Sequence, residues 1–475
     1  MPHVVVERPA ERTELGCELV VVANRTPLRR VDEEWRASSG GLVAAVWPVA
    51  TRRHGAWVAT VEPGQTADLP DGPVDGVSIV GVDLSAEEFD GFYNGFSNAT
   101  LWPLYHDAIR PAEIDHQWWR AYRAVNRRVA DAAAGAAPRG ATVWVHDYQL
   151  QLVPGLMRKR RPDVRIGFFL HIPFPPPELF RQLPWRSLLL EGLLGADLVG
   201  FHTRTDVENF LRAVDRHAGG QVKGSSVRFE DRQVEVGAFP ISVDSVDIAT
   251  RAASDDTEDE LRRLRARLGN RRVIVGVDRL DYTKGIDRRL RAFADLLASG
   301  RADPDDVLLI QIAVPTRDNV PGYNELRQEV ERFVGEVNGR HGKVGRPAVE
   351  YLHRSIASTQ LLALYRLADV MAVTPLRDGM NLVAKEFVAA RTDGDGVLIL
   401  SEFAGAAHEL REAVPVNPYD HDALVQALDT ALGLPEAERR ARMARMREVV
   451  LTHTVHDWAA SFLARLEEAP RATKA

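Results

Sequence analysis

Short continuous apolar runs recur along the chain, each followed by a longer segment with helical spacing of apolar positions. Residues 18–24 (ELVVVAN) precede 40–50, 142–146 (TVWVH) precede 149–160, and 164–170 (VRIGFFL) precede a proline turn and 178–183. Residues 196–201 (ADLVGF) precede 205–217. Because these runs do not alternate, they predict strands covered on both faces, as in a parallel sheet between helices. The pattern changes near residue 225. Residues 227–229 and 233–236 flank Glu230-Asp231-Arg232 and predict a β-hairpin. Residues 254–258 (SDDTE) read as a linker and helix start, since such side chains satisfy first-turn amides and suit the helix dipole. Strand–helix alternation then resumes: 272–277 with 286–298, 306–313 with 323–337, 370–374 with 381–391, and 397–400 with 420–432.

This pattern predicts an α/β protein of two doubly wound, Rossmann-like units facing a central cleft, joined near 240–255. The first covers 1–245 and the second 246–475, including two helices within 435–468 and frayed residues from 469 onward. No 20–50-residue repeat and no low-complexity tract interrupts it. Ligands of open α/β sheets bind beyond the carboxyl ends of the strands, so the residues just after each strand are the functional candidates.

A length of 475 residues allows about three domains, or two large ones. Hydrophobic residues at 45% and charged residues at 27% exclude disorder as a description of the whole chain. Sixty Lys and Arg against 67 Asp and Glu leave a formal net charge of -7, which argues against nucleic-acid binding through the overall field. An anionic substrate must instead meet a local cluster of cations. The single Cys17 excludes an intrachain disulfide and a cysteine zinc site, and fits a reducing cytoplasm. No signal-like run opens the chain and no stretch approaches about 18 apolar residues, so a cytoplasmic protein without a membrane span is expected. A homo-oligomer is compatible with the sequence, which leaves the oligomeric state open.

The segments after the strands are polar. Asn24-Arg25 ends the first, and Ser38-Ser39-Gly40-Gly41 opens a helix whose amides can approach an anion. Alone, a glycine pair before a helix is more often only a turn, and neither the GxGxxG fingerprint nor the Gly-Lys-Ser/Thr phosphate loop is present. His146-Asp147-Tyr148 and His171-Ile172-Pro173-Phe174-Pro175-Pro176-Pro177 end the next two strands. A histidine there is often only a core histidine; the prolines would hold His171 stiffly at the cleft. A metal on these groups lacks a second carboxylate or HExxH spacing, so none is expected. Asp278-Arg279-Leu280-Asp281-Tyr282-Thr283-Lys284-Gly285 places two cations in a strand-to-helix loop, which suits a diphosphate. Thr374 to Glu386 (TPLRDGMNLVAKE) supplies a turn and a helix N-terminus for an anion. Glu386 lies one and a half turns along that helix, among apolar neighbours, where a carboxylate could accept two ribose hydroxyls.

In the order Asn24-Arg25, Gly40-Gly41, Tyr93 to Asn98 with Leu101-Trp102-Pro103, Val145 to Tyr148, Phe169 to Pro175, Arg279 to Gly285 and Thr374 to Glu386, the chain resembles the trehalose-6-phosphate synthases. The resemblance spans about residues 18–465. It implies a retaining glycosyltransferase of family 20 with the two-domain GT-B fold, moving glucose from a nucleoside diphosphate glucose to glucose 6-phosphate. The product would be α,α-trehalose 6-phosphate, with no metal or other cofactor. By the same resemblance Arg25, Tyr93, Trp102 and Arg317 bind the acceptor and its phosphate, and Asp147 orients its hydroxyls. His171 and Asp378 hold the donor glucose, Gly41 lies over its phosphates, Arg279 and Lys284 neutralise the departing diphosphate, amides of Asn381 and Leu382 support it, and Glu386 binds the ribose. UDP, GDP and ADP donors stay open, with the base expected against residues 351–356. The family also has a Trp-x-Gly-Trp segment where this chain has Trp57-Val58-Ala59-Thr60, and Thr26 replaces an aliphatic residue. Both changes lie on the acceptor side, so glucosylglycerol-phosphate synthesis or another sugar-phosphate acceptor is an alternative. A nucleotide-sugar isomerase or hydrolase, and a non-catalytic sensor, are alternatives of other classes.

Overall fold

The computed structural model describes residues 18–31, 34–37, 41–65, 69–317 and 322–470. The continuous apolar runs form buried strands. The first half contains β1 (Leu19–Ala23), β2 (Leu28–Val31), β3 (Glu34–Ala37), β4 (Ala56–Val61), β5 (Ser78–Asp83), β6 (Thr142–His146), β7 (Arg165–Phe169), β8 (Leu198–Phe201), β9 (Gln221–Lys223), β10 (Ser226–Phe229) and β11 (Arg232–Ala238). Nine of them form one sheet in the order β5-β4-β1-β6-β7-β8-β11-β10-β9, and β2 and β3 form a separate antiparallel ribbon. Strands β5 to β11 in that spatial order are parallel. The second half contains β12 (Arg272–Arg279), β13 (Val307–Val314), β14 (Val349–Leu352), β15 (Val370–Val373), β16 (Val397–Ser401) and β17 (Val414–Val416). These form an all-parallel sheet ordered β14-β13-β12-β15-β16-β17. Helices cover both sheets, so β1, β4 and β16 are buried along their whole length. Two Rossmann-like halves, as the patterning implies, are therefore present.

Several details differ from the patterning. The predicted hairpin exists, but β11 also runs parallel to β8, so the hairpin extends the first sheet. Strands β2, β3, β4, β5, β9, β14 and β17 are absent from the predicted pattern; β5 and β14 are edge strands with partly exposed residues, which weakens an apolar signal. Ser254 sits at the cap of the helix Asp255–Leu268, yet its hydroxyl donates to Arg251 O (2.8 Å) rather than accepting a first-turn amide. The last helix, Val455–Glu468, assigned to the second unit by sequence, packs on the first sheet. Its Phe462 stacks on Trp144 (centroids 4.8 Å apart), and Arg165 donates to Leu466 O and Ala469 O. The chain thus crosses between halves twice, and the crossings bond to each other through Val455 N to Val243 O (3.1 Å) and His453 against Pro240 O (2.9 Å). The expected fraying from 469 falls largely on residues 471–475, outside the described residues. No helix among the described residues is long and apolar enough to cross a membrane.

In each sheet the strand order reverses once, between β1 and β6 and between β12 and β15. The loops leaving these strands diverge there and leave a crevice. The two crevices face each other.

Candidate active site

The crevices merge into one cleft of about 880 Å³. Twelve of the thirteen residues singled out by sequence line it: Arg25, Tyr93, Trp102, Asp147, His171, Arg279, Lys284, Arg317, Asp378, Asn381, Leu382 and Glu386. The thirteenth, Gly41, opens the helix Gly41–Arg52, whose next residues Leu42 and Val43 are part of the wall; Ser38 to Gly40 lie outside the described residues.

On the acceptor side, Arg25 leaves the end of β1 and donates to the Tyr93 hydroxyl (2.8 Å). Its backbone is pinned from β4: Thr60 donates to Asn24 O (2.5 Å), and the buried Trp57 donates its indole N–H to Arg25 O (3.1 Å). Tyr93 lies in a π-helical run, Asp90–Leu101, a geometry that widens the helix and is common at functional sites. Burial alone would raise the Tyr93 phenol, but Arg25, Arg317 and Arg279 outweigh it and hold it below its ordinary value.

The cations are not equivalent. Arg317 is buried and salt-bridged to Asp281 (2.6 Å), with Tyr323 and Tyr148 hydroxyls at 2.8 and 3.2 Å and the Trp102 ring centroid 3.7 Å from its Cζ. Lys284 is paired with Asp378 (2.5 Å), which also accepts from Asn381 (3.0 Å). Burial would raise the Asp281 and Asp378 carboxyls; Arg317 in the first case and Lys284 in the second overcome it, so both are held low. Arg279, at the exposed end of β12, has no ion pair among the described residues and lies 5.4 Å from the Trp102 centroid. The expectation that four cations answer two anions is thus refined: Arg317 and Lys284 are salt-bridged to carboxylates, while Arg25 and Arg279 form no salt bridge among the described residues and feel carboxylates only at longer range.

Asp147 adopts φ 75°, unusual for a side-chain-bearing residue, and accepts from His171 N (3.2 Å). Burial pushes its carboxyl up to about 6, against the opposing pull of amides and of Arg279 and Arg317. Arg317 (φ 53°) and Asn381 (φ 73°) also have positive φ, so three strained positions line one cleft. His171 Nε2 is 3.1 Å from His146 Nδ1, and burial keeps both imidazoles neutral near pH 7. The Gly379 backbone runs so close that a Cβ there would lie 2.4 Å from His171 O. Asn381 caps the helix Leu382–Ala390 by accepting from Ala384 N (3.3 Å). Glu386 accepts from Tyr365 OH (2.9 Å) and is raised by burial, which answers the partner its buried carboxylate requires.

His202, Gln149, Phe89 and Glu62 also line the cleft and were missed. His202 follows β8 directly, just as His146 ends β6 and His171 follows β7, so the strand-end rule applied once more would have found it. Residues 351–356, expected to read the base, are not among the lining residues, because β14 lies at the sheet edge, two strands from the β12/β15 crevice. No metal-ligand group of three or more His, Cys, Asp or Glu occurs among the described residues.

A family model described as glycosyltransferase family 20 matches residues 17–468. The chain belongs to glycosyltransferase family 20. Its similarity to a curated trehalose-6-phosphate synthase of Mycolicibacterium gilvum is 52% identity over 466 residues, 94% of this chain and 93% of that protein. Among solved structures, the E. coli enzyme bound with UDP-2-fluoro glucose superposes with a TM-score of 0.88 at 36% identity, covering 95% of this chain and 99% of that one. The UDP-forming α,α-trehalose-phosphate synthase of Burkholderia xenovorans, solved with glucose 6-phosphate, gives 0.87 at 35% identity, covering 94% of this chain and 100% of that one. The fold of this family member is therefore GT-B, and the chain is a glycosyltransferase.

Proposed function

We propose that this family 20 enzyme transfers glucose from UDP-glucose to the anomeric hydroxyl of glucose 6-phosphate, giving α,α-trehalose 6-phosphate and UDP. The observation that carries the reading is a pair of guanidinium groups, Arg25 from the first half and Arg279 from the second, that line one cleft and form no salt bridge among the described residues. Two anionic substrates of the relatives named above need two such charges. Glucose 6-phosphate sits against Arg25, Tyr93 and Trp102, with Arg317 on the same wall and Asp147 accepting from its hydroxyls. The donor glucose lies between His171 and Asp378, its diphosphate against Arg279, Lys284, Gly41 and the amides of Asn381 and Leu382, and its ribose on Glu386.

The acceptor oxygen attacks the anomeric carbon on the face from which UDP departs. The bond from that carbon to the diphosphate breaks, the new glycosidic bond forms, and the acceptor proton passes to the departing phosphate oxygen. No side chain becomes covalently attached. Arg279 and Lys284 stabilise the charge developing on the leaving group. A cytoplasmic setting without metal, nucleic-acid or membrane partners belongs to the same reading.

The test is a matrix of UDP-, GDP- and ADP-glucose against glucose 6-phosphate, free glucose and glycerol 3-phosphate, scored as nucleotide released. UDP-glucose with glucose 6-phosphate is expected to have the highest kcat/KM. Free glucose should lose on the order of 2 kcal/mol or more, because it leaves Arg25 unpaired. A win for glycerol 3-phosphate would move the acceptor assignment to the wall that Thr60 leaves open, and nucleotide release without any acceptor would favour a hydrolase.

A further inference from the structure

Arg377 lies outside the cleft wall, yet it is the residue next to Asp378 in the turn between β15 and the helix Leu382–Ala390. Its side chain reaches across to the first half. Nε lies 3.3 Å from Asp107 Oδ2 and Nη2 lies 3.8 Å from Asp206 Oδ1, both carboxylates of the first half. The Arg377 side chain is 19% exposed, Asp206 3% and Asp107 40%. Nε is buried without an aligned acceptor, so charge attraction rather than hydrogen-bond geometry holds the contact.

The two carboxylates sit on the segments that carry the first half's own site groups. Asp206 Oδ1 accepts Phe174 N (2.9 Å), and its other oxygen accepts the Thr203 hydroxyl (2.6 Å), so it fastens the proline-rich segment that begins at His171. Asp107 follows His106, whose ring packs at a tilt against Trp102 (centroids 4.1 Å apart), in a turn with φ 56° at Asp107. One side chain therefore ties the donor-side turn to both the Trp102 segment and the His171 segment. On its own side that turn continues through Asp378 to Lys284.

We propose that Arg377 is a positioning residue that clamps the donor turn, residues 375–381, onto the acceptor half and so sets the distance between the two substrates. The proposal rests on the transferase reading above. About an ångström of misplacement between reacting groups costs on the order of a hundredfold in rate, which is the range a broken clamp should reach. Breaking the clamp also removes the cation beside Asp206, which is only 3% exposed, whereas Asp107 at 40% exposed stays solvated, so the contact between the halves is weakened mainly at Asp206.

The experiment compares the wild-type protein with Arg377→Ala, Arg377→Lys, Asp107→Asn and the Arg377→Ala/Asp107→Asn double variant. Nucleotide release with UDP-glucose and glucose 6-phosphate, UDP affinity by calorimetry, thermal unfolding, and amide exchange at residues 375–381 and at Phe174 are measured on each. For Arg377→Ala the expected result is a loss of at least about tenfold in kcat/KM for glucose 6-phosphate. UDP affinity should stay within about threefold, because apart from Gly41 the proposed UDP contacts belong to the second half, and exchange at both marked segments should rise about tenfold. Arg377→Lys should recover part of the loss, and the double variant should be no worse than Arg377→Ala, since both remove one interaction. Three results overturn the clamp: UDP affinity falling in step with turnover, which would mean Arg377 acts through Asp378 within its own half; additive losses in the double variant; or unchanged exchange at both segments. Inactivity of the wild-type protein with this substrate pair would sink the transferase reading instead, and the exchange data would still decide the clamp.

Discussion

Arg279 and Lys284 stand five residues apart on one loop, and the structure separates what their removal should do. Arg279→Ala takes away a cation with no ion-pair partner among the described residues. Its loss from the leaving-group site should cost about 3 kcal/mol of transition-state stabilisation, roughly a hundredfold in turnover. No buried group is orphaned, so folding stability should change by no more than about 0.5 kcal/mol. Lys284→Ala differs, because the lysine is paired with Asp378 at 2.5 Å and the two side chains are only 10% and 14% exposed. Turnover should fall similarly, and the stranded carboxylate should cost about 3 to 5 kcal/mol of stability as well. Burial opposes ionisation of Asp378 and Lys284 enforces it, so its carboxyl is depressed in the native state. A depressed carboxyl stabilises the fold above its unfolded value and loses that contribution as pH falls through the native value. In the lysine variant, burial no longer has an opposing cation. The stability deficit should therefore be largest near neutrality and shrink in acid, where Asp378 takes a proton. Nucleotide release at saturating substrates, together with urea unfolding followed by tryptophan fluorescence near pH 7.5 and near pH 5, measures both effects. Equal stability losses in the two variants, or a Lys284→Ala protein as stable as its parent at neutral pH, would refute the distinction between paired and unpaired cations.

Other outcomes follow from single features of the cleft. Asp147, raised to about 6, binds a proton more tightly folded than unfolded, so its contribution to stability declines as pH rises from about 4 to 6; Asp147→Asn should remove that slope, together with an acid limb near pH 6 in kcat/KM for the acceptor. Gly379→Ala would put a Cβ 2.4 Å from His171 O, a backbone atom that cannot swing aside; a stability loss of about 1 to 3 kcal/mol and a raised KM for UDP-glucose are expected, and a neutral variant would show that the turn has slack. Glu386→Ala should weaken UDP binding by about 1.5 to 3 kcal/mol, measured by calorimetry against UDP and its 2′-deoxy analogue, with equal affinities for the two in the wild-type protein counting against a ribose contact. Turnover should survive excess chelator; complete loss restored by one divalent ion would overturn the metal-free mechanism.

Much of the fold was legible because it is encoded locally. A buried parallel strand needs a run of apolar residues, and its covering helix needs the 3.6-residue period, so 142–146 and 286–298 were read without error. The candidate site was legible for a related reason: open α/β sheets present strand ends to the cleft, and the polar residues after β1, β6, β7, β12 and β15 stand out against apolar runs. Charge pairing was not legible. Arg279 and Lys284 look alike in a string, and only the packing of the turn bearing Asp378, 94 positions beyond Lys284, gives the lysine a salt bridge that the arginine lacks among the described residues. Arg317 meets Asp281 across 36 positions and Tyr148 across 169, and Arg25 meets Tyr93 across 68. Nothing in the period of a helix or strand reports such separations.

The last helix makes the same point for the backbone. Its amphipathic sequence states that it must bury a face, but both sheets offer apolar surface. The adjacent crossings at Val243 and Val455, the flat contact between Phe462 and Trp144, and the Arg165 bonds to Leu466 and Ala469 select the first sheet. Local sequence thus specifies which elements form and which strand ends carry chemistry. Which charges are paired, and which half the final helix covers, depends on contacts between distant segments that exist only once the two sheets are packed.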